Sequence, residues 1–111
     1  MKTNKMYENT LNELRRGMIV LAVLSQLDEE QYGYSLLKRF ADLGLELDQG
    51  TLYPLLRRLE SRGLLSSDWN TEGSRPRRYY VISPEGQEFL PRLKEEWNNN
   101  VSMMERMFTE K

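Results

Sequence analysis

The side chains in this sequence best suited to bind another molecule are arginines concentrated in its middle third. Residues 50–83 contain six arginines and three carboxylates, whereas residues 1–49 have six basic against eight acidic side chains and residues 84–111 have four against six. The guanidinium group presents a planar fork of donors that matches phosphate oxygens and the edge of guanine. A basic segment in a chain of formal net charge −1 therefore indicates a local surface for a polyanion, although arginines that only solvate the surface explain the charge equally well.

Composition argues against several other kinds of chemistry. The chain has no cysteine and no histidine, so it lacks disulfides, thiolate nucleophiles and the commonest general base. The acidic run Asp28–Glu30 has no metal-ligand spacing and is interpreted as a solvated turn. Asp, Glu and Lys residues do not fall on matching faces that would form a catalytic site. We therefore predict that the protein is not an enzyme and needs neither a metal nor another cofactor.

The size and hydropathy of the chain fit one soluble domain with an appended element. Of its 111 residues, 39 % are hydrophobic and 30 % are charged, which is enough apolar material for a modest core. The longest apolar run, Met18 to Leu24, is far shorter than the roughly 20 residues of a membrane span. The N-terminus also lacks the features of a signal peptide. We expect a cytoplasmic protein.

Two helices are predicted before the arginine-rich segment. The first is expected to begin at Thr10, where Thr10 and Glu13 match a capping box, and to run to about Leu27. The second follows the sequence YSLLKRFADL and ends at Gly44, a residue suited to a left-handed C-cap. Its inward positions are expected to be Leu36, Leu37, Phe40 and Leu43.

The arginines themselves are predicted on a third helix and a β-hairpin. Asp48 is an N-cap candidate for the sequence DQGTLYPLLRRLE, which is expected to continue to about Arg62 and stop at Gly63. Its inward stripe is Leu52, Leu55, Leu56 and Leu59, and Pro54 lies inside that pattern. The sequences LLSSDW and RRYYVI are typical of strands, and the polar loop between them contains Gly and Pro. A fourth helix is expected to begin after Ser83.

This order of elements is typical of a winged helix-turn-helix, with the third helix as the recognition helix and the hairpin as the wing. The predicted fold class is mainly α with a small β-hairpin wing, followed by a long C-terminal helix. Recognition helices place N-terminal residues on base edges and later basic residues on phosphates. The candidates for bases or backbone are Gln49, Thr51 and Tyr53, the helix candidates for phosphates are Arg57, Arg58 and Arg62, and the wing adds Arg75, Arg77 and Arg78.

Two of these interpretations have structural alternatives. Tyr53 is the residue most expected to contact DNA, but its ring could instead pack against the second helix. Tyr79 and Tyr80 point to opposite faces of one strand, so one packs beneath the wing and only the other can approach DNA.

Three motifs make the pattern specific. YGYSLLKRF, GTLYPLLRRLESRGLL and GSRPRRYYVISPEG together resemble the PadR family of bacterial winged-helix transcriptional regulators. The resemblance covers about Arg16 to Gly86, and the final helix matches in position and character more than in residues. It implies a homodimer on an operator with dyad symmetry, with the third helix in the major groove and the wing on backbone or minor groove. It further implies that Tyr34 and Lys38 contact backbone phosphates, although a solvated lysine explains Lys38 nearly as well.

The resemblance also gives the final helix a role in dimerisation. We expect a winged helix-turn-helix DNA-binding domain at residues 1–83 and a C-terminal dimerisation helix at residues 84–111, a single helix that is short for the family. The apolar positions of this helix repeat every three or four residues and are named the seam: Phe89, Leu93, Trp97, Val101, Met104 and Phe108. Trp97 with neighbouring methionines fits ordinary interface core best, and a flat pocket for a small aromatic or hydrophobic effector is the alternative.

The sequence thus favours one function over an alternative from another class. The favoured function is a sequence-specific DNA-binding regulator, a homodimeric repressor that a small hydrophobic ligand at the dimer interface could release. The alternative is a winged-helix module for protein–protein interaction without DNA binding. The basic balance of residues 50–83 argues against this alternative, because a wing that binds protein need not be basic.

Overall fold

The computed structural model describes residues 2–110 as four helices around a small antiparallel sheet. In chain order the elements are α1 (Lys2–Ser25), β1 (Gln31–Tyr32), α2 (Gly33–Asp42), α3 (Gln49–Ser61), β2 (Leu65–Asn70), β3 (Arg77–Ile82) and α4 (Pro84–Thr109). This confirms the predicted mainly α fold with a hairpin wing, which comprises β2, β3 and the loop 71–76. Within the described residues no helix is both long enough and apolar enough to cross a membrane.

The first helix begins earlier than the capping box predicted. α1 starts at Lys2, and Thr10 lies in its interior, where the hydroxyl donates a hydrogen bond to the carbonyl of Met6 at 2.8 Å. Neither glycine nor proline occurs between Lys2 and Thr10, so nothing in the sequence interrupts the helix there. The start predicted at Thr10 was therefore wrong, and α1 gains two further turns.

The sheet contains one strand more than the hairpin. The strand order is β1-β3-β2, and β2 pairs with β3 from Leu65 opposite Ile82 to Asn70 opposite Arg77. β1 adds only two residues, with Tyr32 opposite Tyr79. A two-residue strand is too short to show alternation in the sequence, which is why the segment before α2 looked like a plain turn. It fixes the start of α2 to the edge of the wing.

The core is formed where α1, α2 and α3 meet the inner face of the sheet. Its members are Ile19, Val23, Leu24, Leu27, Leu36, Phe40, Leu52, Leu55, Leu56, Leu59, Leu65, Tyr80 and Ile82. The predicted inward stripe of α3 is buried in full. In α2, Leu36 and Phe40 are buried and Leu37 is half-buried, but Leu43 is 62 % exposed.

The exposure of Leu43 corrects its predicted inward position. α2 ends at Asp42, and the chain leaves the helical path at Gly44, whose φ is +100°. The amides of Gly44 and Leu45 donate to the carbonyls of Ala41 and Phe40, which is the Schellman arrangement. Leu43 therefore occupies the cap itself and no longer lies on the buried stripe.

Two predicted caps position α3 and α4. The Asp48 carboxylate accepts a hydrogen bond from the Thr51 amide at 2.8 Å, which confirms it as the N-cap of α3. The Ser83 hydroxyl accepts from the Gly86 amide at 3.0 Å and donates to the Gly63 carbonyl at 2.6 Å. Ser83 thus caps α4 while bonding to the turn that ends α3.

Candidate DNA-binding surface

The N-terminal turn of α3 is open to solvent. Gln49, Gly50, Thr51 and Pro54 are exposed, so the base-edge candidates Gln49 and Thr51 are accessible. Pro54 is the sixth helical residue and leaves the Gly50 carbonyl without its usual partner. The free backbone groups of this turn therefore lie at the end of the helix that a recognition helix directs at DNA.

Tyr53 packs against the beginning of α2 while keeping part of its ring exposed. A Cβ atom placed on Gly33 would lie 2.1 Å from Cε1 of Tyr53, so the ring occupies the space that a side chain at position 33 would need. The packing alternative for Tyr53 is thus observed in part. The same ring also borders the groove described next, and its contact with DNA remains a prediction.

A groove of about 350 Å³ separates α3 from the wing and is named the α3–wing groove. It is lined by Tyr32, Gly33, Tyr53, Leu56, Arg57, Trp69, Pro76, Arg77, Arg78 and Tyr80. The groove brings together four of the predicted residues, from α3 and from a strand about 20 positions later. Among the described residues that line it, three are arginines and none carries a carboxylate.

Arg78 is directed into the protein and joins the wing to α3. Its Nη2 donates to Oε1 of Glu60 at 2.7 Å and its Nε donates to the Ser67 hydroxyl at 2.9 Å. The Ser67 hydroxyl in turn donates to Oε2 of Glu60 at 2.6 Å. Two donors of this guanidinium are therefore engaged by groups of the protein and tie the wing to α3, and its predicted contact with phosphate stays a prediction.

Tyr80 lies beneath Arg78 and is the one of the two adjacent tyrosines that packs under the wing. It is buried, and the Arg78 guanidinium carbon is 5.5 Å from the centre of its ring. Burial raises the pKa of the Tyr80 hydroxyl above its ordinary value, and Glu60 also raises it, while Arg78 and Arg57 act in the opposite direction. Tyr80 is thus a neutral core residue, and Tyr79 is the tyrosine on the outer face.

The outer face of the sheet carries a second aromatic group. The rings of Tyr32 and Tyr79 meet edge to face at 5.4 Å between centroids, and Tyr34 stacks on Tyr32 at 6.4 Å. The Arg77 guanidinium carbon lies 4.5 Å from the centre of the Tyr32 ring. Arg77 is exposed, so it is held beside the groove with its donors open to solvent.

The remaining predicted residues are exposed but more dispersed. Tyr34 and Lys38 lie one turn apart on α2, Arg75 lies in the wing loop, and Arg62 lies at the C-cap of α3. Arg58 faces away from the wing and borders a cavity of about 390 Å³ between α1 and α3, together with Arg15 and Arg16. The structure does not bring Arg58 and Arg62 to the α3–wing groove.

Sequence reasoning missed several residues of this surface. Trp69 lines the groove, and the Arg15-Arg16 pair of α1 borders the same cavity as Arg58. The pair could have been noticed as adjacent basic residues in a helix. Trp69 could not have been placed without knowing that it lies opposite Arg78 in the hairpin.

The seam of α4 is largely uncovered within one chain. Leu93 packs against the core, whereas the other five seam residues are exposed, from 39 % for Val101 to 66 % for Phe108. The first half of α1 also exposes the apolar side chains Met6, Tyr7 and Leu14. Residues 2–110 contain no cluster of acidic side chains suited to hold a metal ion.

Comparison with known proteins agrees with the fold. Residues 20–92 match the transcriptional regulator PadR-like family. A PadR family transcriptional regulator of Eggerthella lenta has a solved structure with a TM-score of 0.91 and 41 % identity, over 100 % of this chain and 99 % of that one. A PadR family transcription regulator of Clostridium difficile gives a TM-score of 0.72 and 32 % identity, over 81 % of this chain and 97 % of that one.

A sequence relative of known role agrees with these structures. A transcriptional regulator of Mycobacterium tuberculosis is 36 % identical over 81 residues, which span 72 % of this chain and 76 % of the relative. These proteins are regulators and not enzymes, as the sequence predicted. The match over most of the chain, together with the winged helix-turn-helix, shows that the protein belongs to the PadR-like family of transcriptional regulators.

Proposed function

We propose that the protein is a homodimeric, cytoplasmic repressor that binds a dyad-symmetric operator through α3 and the wing. The observation that carries this proposal is the α3–wing groove, whose described lining has three arginines and no carboxylate beside an exposed helix N-terminus. In a chain with a net charge of −1, the charged side chains that line the meeting point of the recognition helix and the wing are all positive. Such a distribution is the electrostatic footprint of a nucleic-acid surface.

In the proposed complex, different residues of this surface contact bases and phosphates. Gln49, Thr51 and Tyr53 face the major groove from the first turns of α3, where side chains reach base edges. The exposed arginines Arg57 and Arg77 contact phosphates on either side of the α3–wing groove. Outlying phosphate contacts come from Arg58, Arg62, Arg75, Tyr34 and Lys38.

The dimer follows from the seam of α4. Five exposed apolar residues along a helix of 26 residues form a stripe that water does not favour, and a two-fold axis lets the stripe meet its own copy. In this division residues 1–83 bind DNA and residues 84–111 join the two protomers. The two copies of α3 would then address half-sites about 34 Å apart, one turn of the duplex.

Selection of duplexes from a random pool by the full-length protein tests this proposal. We expect enrichment of a sequence with dyad symmetry that the protein binds in a gel shift. Destruction of one half-site should shorten the protected footprint. Affinity should fall steeply with salt, because each neutralised phosphate releases counterions. Enrichment of no sequence, together with no binding to the chain's own upstream region, would contradict the proposal. That outcome would favour the protein–protein interaction module.

Trp97 allows a ligand-dependent form of the same proposal to be tested. The simpler assignment is interface core, and the alternative is a pocket in which Trp97 and flexible methionines receive a planar hydrophobic effector. A Trp69→Phe variant leaves Trp97 as the only tryptophan, so its emission reports this site alone. Saturable quenching by a planar compound that also releases operator DNA supports an effector site. If no compound of a chemically broad panel has either effect, Trp97 is interface core.

A further inference from the structure

Trp69 is an exposed tryptophan on the wing that does not belong to the hydrophobic core. It lies one residue before the end of β2 and is 62 % exposed, whereas Leu65 at the other end of the strand is buried. Side chains alternate along a strand, so Trp69 shares the inner face of the hairpin with Ser67 and lines the α3–wing groove. An indole that is 62 % exposed on this face leaves much of its apolar area open to solvent.

The Trp69 ring has a cationic neighbour on the adjacent strand. The guanidinium carbon of Arg78 lies 5.8 Å from the centre of the Trp69 ring. The two residues are opposite each other in the pairing of β2 with β3. Arg78 is itself held by Glu60 and Ser67 through the hydrogen bonds described above. The Trp69 ring therefore lies beside a guanidinium that is itself held by hydrogen bonds. The charge of Arg78 also neutralises Glu60, which would otherwise repel a phosphate.

The two sides of the groove carry complementary features for one kind of occupant. Arg57 on α3 and Arg77 on β3 are exposed cations that both line the groove, and Tyr53 and Trp69 add aromatic rings to its lining. Alternating phosphates and deoxyriboses present the matching pattern of anionic and apolar groups. A helix seated in the major groove with a wing beside it must also leave the intervening strand in the space between helix and wing.

We propose that the α3–wing groove receives the sugar–phosphate backbone of one strand of duplex DNA, with the Trp69 ring packed on a deoxyribose. Arg57 and Arg77 bind the flanking phosphates, and Arg78 is a positioning residue that holds Trp69 without contacting DNA. The inference rests on the proposed function, because it assumes that α3 enters the major groove. It adds a sequence-independent anchor that increases affinity for any duplex by the same factor.

Fluorescence anisotropy with two duplexes tests this assignment. The full-length protein is titrated into the selected operator and into an unrelated duplex of equal length. We expect Trp69→Ala to weaken both complexes by about tenfold and by the same factor, since a deoxyribose is present in every sequence. The slope of log affinity against log salt should stay at the wild-type value, because no charge is lost.

Matched variants separate the ring from its surroundings. Trp69→Phe keeps an aromatic face and should bind within about threefold of the wild type. Ser66→Ala changes the neighbouring residue on the opposite face of β2 and should bind both duplexes like the wild type. Addition of duplex should change the tryptophan emission of the wild type, and this change should be absent or much smaller in Trp69→Phe.

The outcomes distinguish this inference from the function on which it rests. Wild-type protein that binds neither duplex overturns both. Wild-type protein that binds DNA while Trp69→Ala binds both duplexes equally well overturns the groove assignment alone. Trp69 emission that responds to deoxynucleoside monophosphates but not to duplex would give the groove to a small anion and also overturn it. If Trp69→Ala melts at a lower temperature, the comparison of emission between wild type and Trp69→Phe decides.

Discussion

The two tryptophans of this chain mark two exposed surfaces with different surroundings. Trp69 is 62 % exposed and shares its groove with three arginines, whereas Trp97 is 42 % exposed on a helical stripe of aliphatic, methionine and phenylalanine side chains. An exposed indole indicates a missing partner in both places, but its neighbours differ in charge. Arginines around an aromatic ring fit a polyanion, and an uncharged stripe of helical period fits a second copy of the same helix.

The two surfaces also differ in their contacts with the rest of the protein. The wing is tied to α3 by hydrogen bonds and an ion pair between Glu60 and Arg78. The seam of α4 has no such support beyond Leu93, because the rest of the helix extends from the core. Preorganisation favours specific recognition, and a stripe of flexible side chains favours an adaptable interface.

The largest effect should follow from placing a charge on the seam. Trp97→Glu buries a carboxylate in the proposed dimer interface, so we expect monomers and at least about a hundredfold loss of operator affinity, because two half-sites are no longer linked. Analytical ultracentrifugation and gel shift measure the two effects. Asn99→Glu, on the same helix but off the seam, is the control. A dimeric Trp97→Glu variant would show that α4 is not the main interface.

The contact between α2 and α3 offers the next largest effect. A methyl group at Gly33 would collide with the Tyr53 ring, so Gly33→Ala should lower the free energy of unfolding by about 1–3 kcal/mol and displace the ring from the groove. Gly17→Ala is the matched control, because a Cβ atom there meets nothing within 4 Å and should stabilise α1 by about 0.5–1 kcal/mol. Chemical denaturation measures both. Equal stability of Gly33→Ala and wild type would mean that Tyr53 moves freely.

Charge removal on the wing should have a smaller effect with a distinct signature. Arg77→Ala is expected to weaken binding to all duplexes and to reduce the salt slope by about one, since one phosphate contact is lost. Arg92→Ala removes an exposed arginine on α4 and should leave the slope unchanged. Binding titrations at several salt concentrations provide the slopes. An unchanged slope for Arg77→Ala would remove this residue from the phosphate contacts.

The smallest effect concerns the buried side of the wing. Burial raises the pKa of Tyr80 above its ordinary value of 10.0, so the folded chain keeps the phenolic proton where the unfolded chain loses it. The associated stability is fully present below pH 10 and is lost as the pH rises through the folded-state pKa. Denaturant unfolding above and below pH 10 should therefore show that the free energy of unfolding falls more steeply with pH for wild type than for Tyr80→Phe. Parallel curves would show that Tyr80 does not titrate differently in the two states.

Local signals in the sequence predicted most of the framework. Asp48, Ser83, Gly44 and Gly63 mark helix ends through side-chain oxygens or positive φ, and these effects depend only on near neighbours. The start of α1 was missed because a capping box can occur inside a helix that nothing interrupts. β1 was missed because its two residues are a strand only through pairing with β3.

The candidate site was predictable in its members more than in their roles. The arginines were found from composition and from the resemblance, but Glu60 and Arg78 are 18 positions apart and meet only because of the hairpin register. That register places Arg78 against Glu60 and sets Trp69 opposite Arg78. Side-chain pairs across a fold are set by tertiary packing, which helix and strand periodicity does not contain.

The junction at Ser83 ties the start of α4 to the turn that follows α3. One hydroxyl bonds to both Gly63 and Gly86, and a Cβ atom at Gly86 would lie 2.3 Å from the Leu64 carbonyl, so α4 begins in close contact with the backbone of the turn between α3 and β2. Along the described chain, α4 begins at Pro84, directly after its Ser83 cap. In the proposed dimer α4 acts as a rigid lever, and a tilt of a few degrees at the seam would change the distance between the two recognition helices.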